Sequence, residues 1–421
     1  MKFKSSLAGW ALALWIAAIV AGVAGCGDSR DFGESRKMSA RENYKSGKDI
    51  YLGVVWNSKF GAFFEGAELA AAEINSEGGI GGRAINLEYT DEAAFMKTDH
   101  ASRAHSEGRY RNAMQVAGSH IAQAVVANKN ITAVVGHTGI SDATLAAMLT
   151  YSDNGVLFLN GGATDSRIMW SSSANLYFQL LPHDMVMARR LADDMKQRHW
   201  DNVFFIYAAS RHNEQLIELL KNEFVERKIR FAGATAIMED ANTAGAVESS
   251  RRLQKGLAQL REGNVDAIVL LAPPALSAQL IRQTRAIAVV QPFVGTGALD
   301  SPAFIDAVGD LGEGTIIASI YRDQSYQVKR FEEKFKRRFP NVKPDQAALM
   351  GYDSVRLYAD AVAAAESTDP FMVAHALHFK IPLWYGLQGT YVFDDYGVKN
   401  IKYYIRELRR KDKSLAFVTT K

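Results

Sequence analysis

Residues 60–91 read FGAFFEGAELAAAEINSEGGIGGRAINLEYTD, and this stretch decides the fold. Phe63, Ala67, Ala70 and Ile74 recur at spacings of four, three and four, which puts them on one face of a helix over Phe63–Ser76. Gly78 and Gly79 stop that helix, because a chain leaving a helix turns through the left-handed region that glycine enters at no steric cost. A strand follows at Ala84–Glu88, and an unbroken apolar run, Ile50–Trp56, precedes the helix. The unit is therefore strand, helix, strand.

Working outward, the pattern repeats. Further strands are expected at Thr132–Val135, Val156–Leu159, Val203–Tyr207, Arg230–Ala236, Ala267–Leu271, Phe293–Gly295 and Thr315–Ile320, nearly all followed by a helical pattern. Short strands apolar on both faces belong to a parallel sheet covered by helices on either side. The alternations outnumber those of one doubly wound sheet, so two α/β lobes are expected. The tail differs: helices at Tyr326–Phe339 and Ala347–Ala365 lead into short antiparallel strands at Gly389–Phe393, Ile401–Leu408 and Leu415–Thr419. The basic residues Arg406, Arg409, Arg410, Lys411 and Lys413 are read as a solvated hairpin turn.

The chain has 421 residues, 48% hydrophobic and 23% charged, a composition that excludes disorder. Lys plus Arg number 49 against 46 Asp plus Glu, a formal +3. Without Lys2 and Lys4 the balance is 47 against 46, so no basic excess exists for a nucleic-acid face. Those two lysines precede an apolar run from Leu7 to Val23, then Ala24, Gly25 and the single cysteine, Cys26. A charged start, an apolar middle and small residues at the cut make a secretory signal. Residues 1–25 are expected to be removed and 26–48, polar and without apolar periodicity, to form a flexible tether. With one cysteine no disulfide framework is available, so stability has to come from a large core.

The residues Phe60, Gly61, Gly66, Ala67, Ala71, Ala72, Glu73, Ile74, Asn75, Gly78 to Arg83, Leu87 and Asp91 resemble the opening of the type I periplasmic binding proteins, most closely the branched-chain amino-acid-binding branch. The resemblance continues in order through Val134–Gly136, Gly155–Phe158, Ala163–Thr164, Val265–Asp266, Gly351–Asp353 and Gly386–Asp394, and so spans about residues 50 to 420. Val23–Cys26 resembles the bacterial lipobox, which implies acylation of Cys26. Gly27 after it resembles the pattern that does not hold a lipoprotein at the inner membrane. The resemblance implies two lobes joined by three crossovers with a small-molecule ligand between them: residues 49–181 plus 323–385, and 182–322 plus 386–421. It implies ABC permease subunits as partners, a membrane reached through the lipid anchor, and no cofactor.

In that family a Ser after the third strand and a small-residue segment ending in Thr after the fourth hold an amino acid's carboxylate and ammonium. The matching positions are Ser141, the backbone of Gly162, and Thr164. Ser141 and Thr164 also suit plain helix capping. Trp56, Phe60, Tyr207 and Tyr321 are candidates for an aromatic wall, and Arg211 for a second anion contact. The second half departs from the family: Pro273 stands at the place of a Tyr, Ser210, Arg211 and His212 at the place of a Tyr-Gly pair, and Gly297 at the place of the Glu that pairs with the ammonium. Asp300 and Asp323 are the candidate substitutes. Residues 92–112, with His100, His105 and several Arg, form an insertion relative to the family, read as a polar helical extension or a partner-contact loop. The sequence contains no HExxH, GxSxG, P-loop or CxxC, so no catalytic group is assigned. Three readings follow: a lipid-anchored solute-binding protein of an importer, a ligand-responsive envelope sensor, and, last, an exported enzyme on the same scaffold.

Overall fold

Strands β1 (Ile50–Trp56), β2 (Ile85–Asp91), β3 (Ile131–Gly136), β4 (Leu157–Asn160) and β5 (Tyr177–Gln179) pair in the order β2-β1-β3-β4-β5, all parallel. The coordinates are a computed structural model that describes residues 30–96, 107–165, 167–168, 176–237, 243–394, 397–411 and 414–420. Strands β6 (Asn202–Ala208), β7 (Arg230–Ile237), β8 (Ala267–Leu271), β9 (Phe293–Thr296) and β10 (Ile316–Ser319) repeat the same winding as β7-β6-β8-β9-β10. A small antiparallel sheet follows, β11 (Trp384–Tyr385), β12 (Thr390–Asp394) and β13 (Gly397–Lys399). The chain then returns as β14 (Tyr404–Lys411) and β15 (Ser414–Thr419), which extend the second sheet antiparallel beyond β10. The two-lobed α/β expectation holds, and in each sheet the winding direction reverses next to the first strand, β1 or β6.

Strands β3, β4, β8 and β10 are buried along their whole length, as residues covered on both faces must be. The helix over Phe63–Ser76 buries Phe63, Ala67, Ala70 and Ile74, the face its spacing requires. It crosses the helix Gln346–Ala365 at backbone contact. A Cβ added to Gly66 would stand 1.9 Å from the carbonyl oxygen of Ala348, and one added to Gly351 would stand 2.1 Å from that of Phe63.

Three expectations are corrected. Within the segment read as a tether, Arg30–Lys45 is a helix docked on the first lobe. Arg36, 6% exposed, donates to the carbonyls of Val126 (2.8 Å), Asn128 (3.2 Å), Ile131 (2.5 Å) and Asn154 (3.1 Å). Gly33, Arg36, Ala40 and Tyr44 face inward at helical spacing, and the arginine in that stripe hid it from a hydrophobic count. Second, residues 386–393 pack on the first lobe, not the second. Asp353 accepts from the N–H groups of Leu387 (2.9 Å) and Gln388 (3.2 Å), and Phe393 meets Phe178 edge-on at 5.3 Å. The last crossing therefore falls after β13. Third, Arg406 is buried and paired with Asp300 instead of sitting in a solvated turn.

Candidate functional site

Two side-chain bridges bring the carboxyl ends of both sheets to one gap. Beyond β4, Asn160 pins its own loop, donating to Ala163 O (2.7 Å) and accepting from the N–H groups of Gly162 and Ala163 (both 3.2 Å). The hydroxyl of Thr164 then donates to Asp184 Oδ1 (2.5 Å), at the start of the first helix after the crossing. His212, in the first turn after β6, places Nδ1 3.5 Å from the other oxygen of Asp184. On the opposite side Asp345 caps the helix Gln346–Ala365 through Ala348 N (3.0 Å) and accepts from Ala62 N (3.2 Å) in the loop beyond β1. Its neighbour Gln346 places its side-chain amide 2.7 Å from Ser319 Oγ at the end of β10 and 2.9 Å from where a Cβ on Gly297 would stand, just past β9. The strand ends β1, β4, β6, β9 and β10 thus border one cleft, where open α/β sheets hold ligands.

The first lobe's rim carries a helix N-terminus above a buried polar cluster. Past β3 the chain takes a left-handed turn at His137 (φ 61°), a fully buried side chain. Its Nδ1 lies 2.8 Å from Glu92 Oε1 and its Nε2 2.9 Å from the hydroxyl of Tyr151. Glu92 also accepts from the N–H (3.1 Å) and hydroxyl of Thr138, so a buried polar cluster fixes the loop from below. The helix Ser141–Asp153 starts directly above, and its N-cap residue Ile140 offers no side-chain acceptor. Ser141 is 5% exposed and its Oγ has no hydrogen-bond partner. A buried hydroxyl left unpaired costs about 1–3 kcal/mol, and a ligand oxygen at this helix N-terminus would satisfy it together with the free N–H groups. Gly162 faces this loop so closely that a Cβ would stand 2.3 Å from His137 O. Alongside, Arg167 is held by Asp165 (2.6 Å) and Asp142 (3.1 Å). Burial drives the Asp165 carboxyl upward, but its bonds to Arg167 outweigh this and hold it below the usual range.

A sequence profile of the periplasmic binding proteins matches residues 115–413. The chain belongs to the periplasmic binding protein family. Among its relatives is the Leu/Ile/Val-binding protein of Citrobacter freundii, 24% identical over 258 residues, which are 60% of this chain and 61% of the relative. The chain thus aligns with about three fifths of that relative's length. The fold is also that of an ABC transporter substrate-binding protein from Desulfitobacterium hafniense in complex with Leu (TM-score 0.68, 22% identity, 88% of this chain and 100% of the other). It is shared again with a solute-binding protein of an ABC transporter from Rhodopseudomonas palustris in complex with 3,4-dihydroxy benzoic acid (TM-score 0.70, 16% identity, 88% and 96%). At these identities the two structures establish the fold alone. The family consists of binding proteins rather than enzymes, and membership implies an exported, periplasmic protein.

Within this periplasmic binding protein the sequence candidates separate into two groups. Trp56, Phe60, Ser141, Gly162 and Thr164 lie in or beside the loops beyond β1, β3 and β4. Trp56 is buried, stacked on Phe63 at 4.3 Å, and its Nε1 donates to Phe60 O (3.0 Å), so it fixes the loop that presents Phe60. Thr164 makes the bridge to Asp184. Tyr207 and Arg211 line a separate groove of about 700 Å³ with Glu214, Ile217 and Phe231, all from the second lobe. Tyr321 is buried at a crossing, its hydroxyl bound to Glu332 and its ring 4.7 Å below the Arg406 guanidinium; burial, then Glu332, pushes its hydroxyl pKa up.

Neither proposed ammonium partner is free. Asp300 binds Arg406 and accepts from Ser319 (2.6 Å), and Asp323 accepts from Thr419 (2.6 Å). Sequence reasoning missed Asn160, Asp184, His212, Asp345 and Gln346, of which only Asp345 carries a local signal, an N-cap spacing to Ala348. Cys26, His100 and His105 lie outside the described residues, as do residues 97–106 of the insertion. Among the described residues no cluster of His, Cys, Asp or Glu is arranged to hold a metal, and no helix is long and apolar enough to cross a membrane.

Proposed function

We propose that this protein is the lipid-anchored receptor of an ABC importer and captures, between its lobes, a small organic carboxylate that carries no free ammonium group. The observation that carries this reading is the buried, unpartnered hydroxyl of Ser141 at the N-terminus of the helix Ser141–Asp153, a half-built carboxylate site. The second lobe supports the absence of an amine: the space at Gly297 is taken by the neutral amide of Gln346, and Asp300 and Asp323 already have partners. A desolvated ammonium without a carboxylate would cost several kcal/mol. A structural neighbour in complex with 3,4-dihydroxy benzoic acid, a carboxylate without an amine, supports this reading, beside another in complex with Leu.

The test is calorimetry and thermal melting of the purified protein against α-amino acids and their des-amino or aromatic acid counterparts, beside native mass spectrometry for a copurified ligand. A carboxylate at 100 times its Kd should stabilise the protein by about 2.7 kcal/mol. Binding of leucine in preference to its des-amino counterpart would refute the ligand class while leaving the receptor reading intact. The envelope-sensor reading drew on a long tether and on the insertion at residues 92–112; with Arg30–Lys45 docked as a helix, the first of these motives is gone.

A further inference from the structure

The base of the first lobe carries an apolar strip that the ligand site does not use. Phe371 and Met372 are each 40% exposed, Phe379 72%, Leu383 53% and Tyr385 76%. They are continuous along one segment. The His375 ring lies tilted against Phe379 at 4.8 Å across a π-helical turn, Ala376–Lys380, which leaves the phenylalanine in solvent. Trp384, tied to Asp360 through Nε1 (2.7 Å), anchors the pair Leu383 and Tyr385. An exposed apolar area of this extent marks an interaction surface. Its fringe carries three basic side chains: Lys37, 4.2 Å over the Phe371 ring and paired with the exposed Glu34 at 2.8 Å, Arg41, paired with the buried Asp369 at 2.6 Å, and Lys380, which reaches the Ala364 carbonyl.

The docked helix says what covers it. Arg36 seals this helix to the ends of the helices that precede β3 and β4, the edge of the sheet opposite the ligand cleft. Lys37 and Arg41, on the same helix, touch the strip. The helix begins at Arg30, four residues after Cys26. Four extended residues span at most about 14 Å. An acyl group on Cys26 would therefore hold the start of this helix within about 14 Å of the bilayer, with Lys37 about 10 Å further along it, on the same side of the lobe as the strip.

We infer that Phe371, Met372, Phe379, Leu383 and Tyr385 form a membrane-docking surface that lies on anionic phospholipid headgroups, with the cleft pointing away from the anchoring membrane. Aromatic and aliphatic side chains ringed by Lys and Arg are the chemistry of a protein surface seated in a bilayer interface. The inference rests on the lipid-anchor reading above, and the test separates the two.

The acylated, signal-free protein is placed in phosphatidylglycerol-containing nanodiscs and in phosphatidylcholine nanodiscs, and hydroxyl-radical footprinting reads each side chain. Oxidation of Met372, Phe379 and Tyr385 should slow several-fold on the anionic discs, while Tyr326, 69% exposed elsewhere, keeps its rate. The variant Phe379→Glu with Leu383→Glu should remain anchored and lose the protection. Equal rates on both discs would overturn the proposal. So would protection that appears only with added permease, or that grows with protein concentration in detergent, since these mean a protein partner or a second copy. Failure of the anchor reading is a different result: an unmodified Cys26 mass and no recovery with membranes.

Discussion

Ser141 is where local stability and binding part company. Its hydroxyl is buried without a partner, so removing it takes a cost out of the unliganded fold. Ser141→Ala should leave the unliganded melting temperature unchanged or slightly raised and weaken the carboxylate by about 1.5–3 kcal/mol, the worth of a hydrogen bond to a charged group, or roughly 10- to 150-fold in Kd by calorimetry. A lowered melting temperature with unchanged affinity would return this residue to a structural role. Asp345 makes a separate test through pH. Burial, with Asp300 and Glu65 adding repulsion, raises its carboxyl from 3.8 to about 6, against the opposing N–H groups of Ala348 and Ala62. The folded chain then holds this proton more tightly than the unfolded one. The group's contribution is complete below pH 3.8 and is lost as the pH rises through about 6. In Asp345→Asn the Oδ1 acceptor remains but the titration is gone. Urea unfolding should show the wild type losing about 3 kcal/mol relative to the variant across that window, and a pH-independent difference would refute the assignment.

Among the elements, those carrying a long apolar stripe were legible in the sequence, even where Asp353 and Ser354 sit inside the buried face of Gln346–Ala365, while a short stripe interrupted by a charge was not. The helix Phe63–Ser76 came out at its full bounds because Phe63, Ala67, Ala70 and Ile74 are all apolar. Strands β6, β8 and β10 came out within a residue or so for the same reason. The helix Arg30–Lys45 was hidden because Arg36 occupies its buried stripe and is satisfied only by carbonyls some 90 to 118 residues away. Strand β5, three residues long, is too short to show a period. The first-lobe half of the site was readable from loop positions after strands. Its other half, Asp184, His212 and Gln346, depends on which crossover residue meets which loop, and only the tertiary fold supplies that. The strap makes a sharp prediction. A flexible tether tolerates Arg36→Ala without effect, whereas here the change strips partners from carbonyls at two helix ends and should cost about 2–4 kcal/mol in chemical denaturation. Arg36→Lys should recover little, since one ammonium cannot replace the fork that serves four carbonyls.

At the scale of the whole molecule, ligand choice is set by residues from opposite lobes that meet across the cleft. Gly297 belongs to the second sheet's rim, and Gln346 to a helix that packs on the first lobe; the side chain of one fills the space a Cβ on the other would enter. A carboxylate installed at Gly297 alone has to displace the Gln346 amide and press on the backbone: its Cβ would stand 2.9 Å from that amide and 3.2 Å from Ala318 O. Gly297→Glu should disturb the interlobe contact and lower stability without creating an amine site. Combined with Gln346→Ala, the space opens, Ser319 keeps its bond to Asp300, and the new carboxylate has room to face the gap. The double variant should gain affinity for α-amino acids relative to their des-amino counterparts, by an amount set by one desolvated ammonium–carboxylate pair and so at least about tenfold. Calorimetry with each matched pair of ligands reads this ratio directly, independent of absolute affinity. If the ratio stays at its wild-type value while the double variant still binds the des-amino acid, the ligand's second carbon does not face Gly297, and the reason for excluding amino acids has to lie elsewhere on the second lobe, at Pro273 or His212.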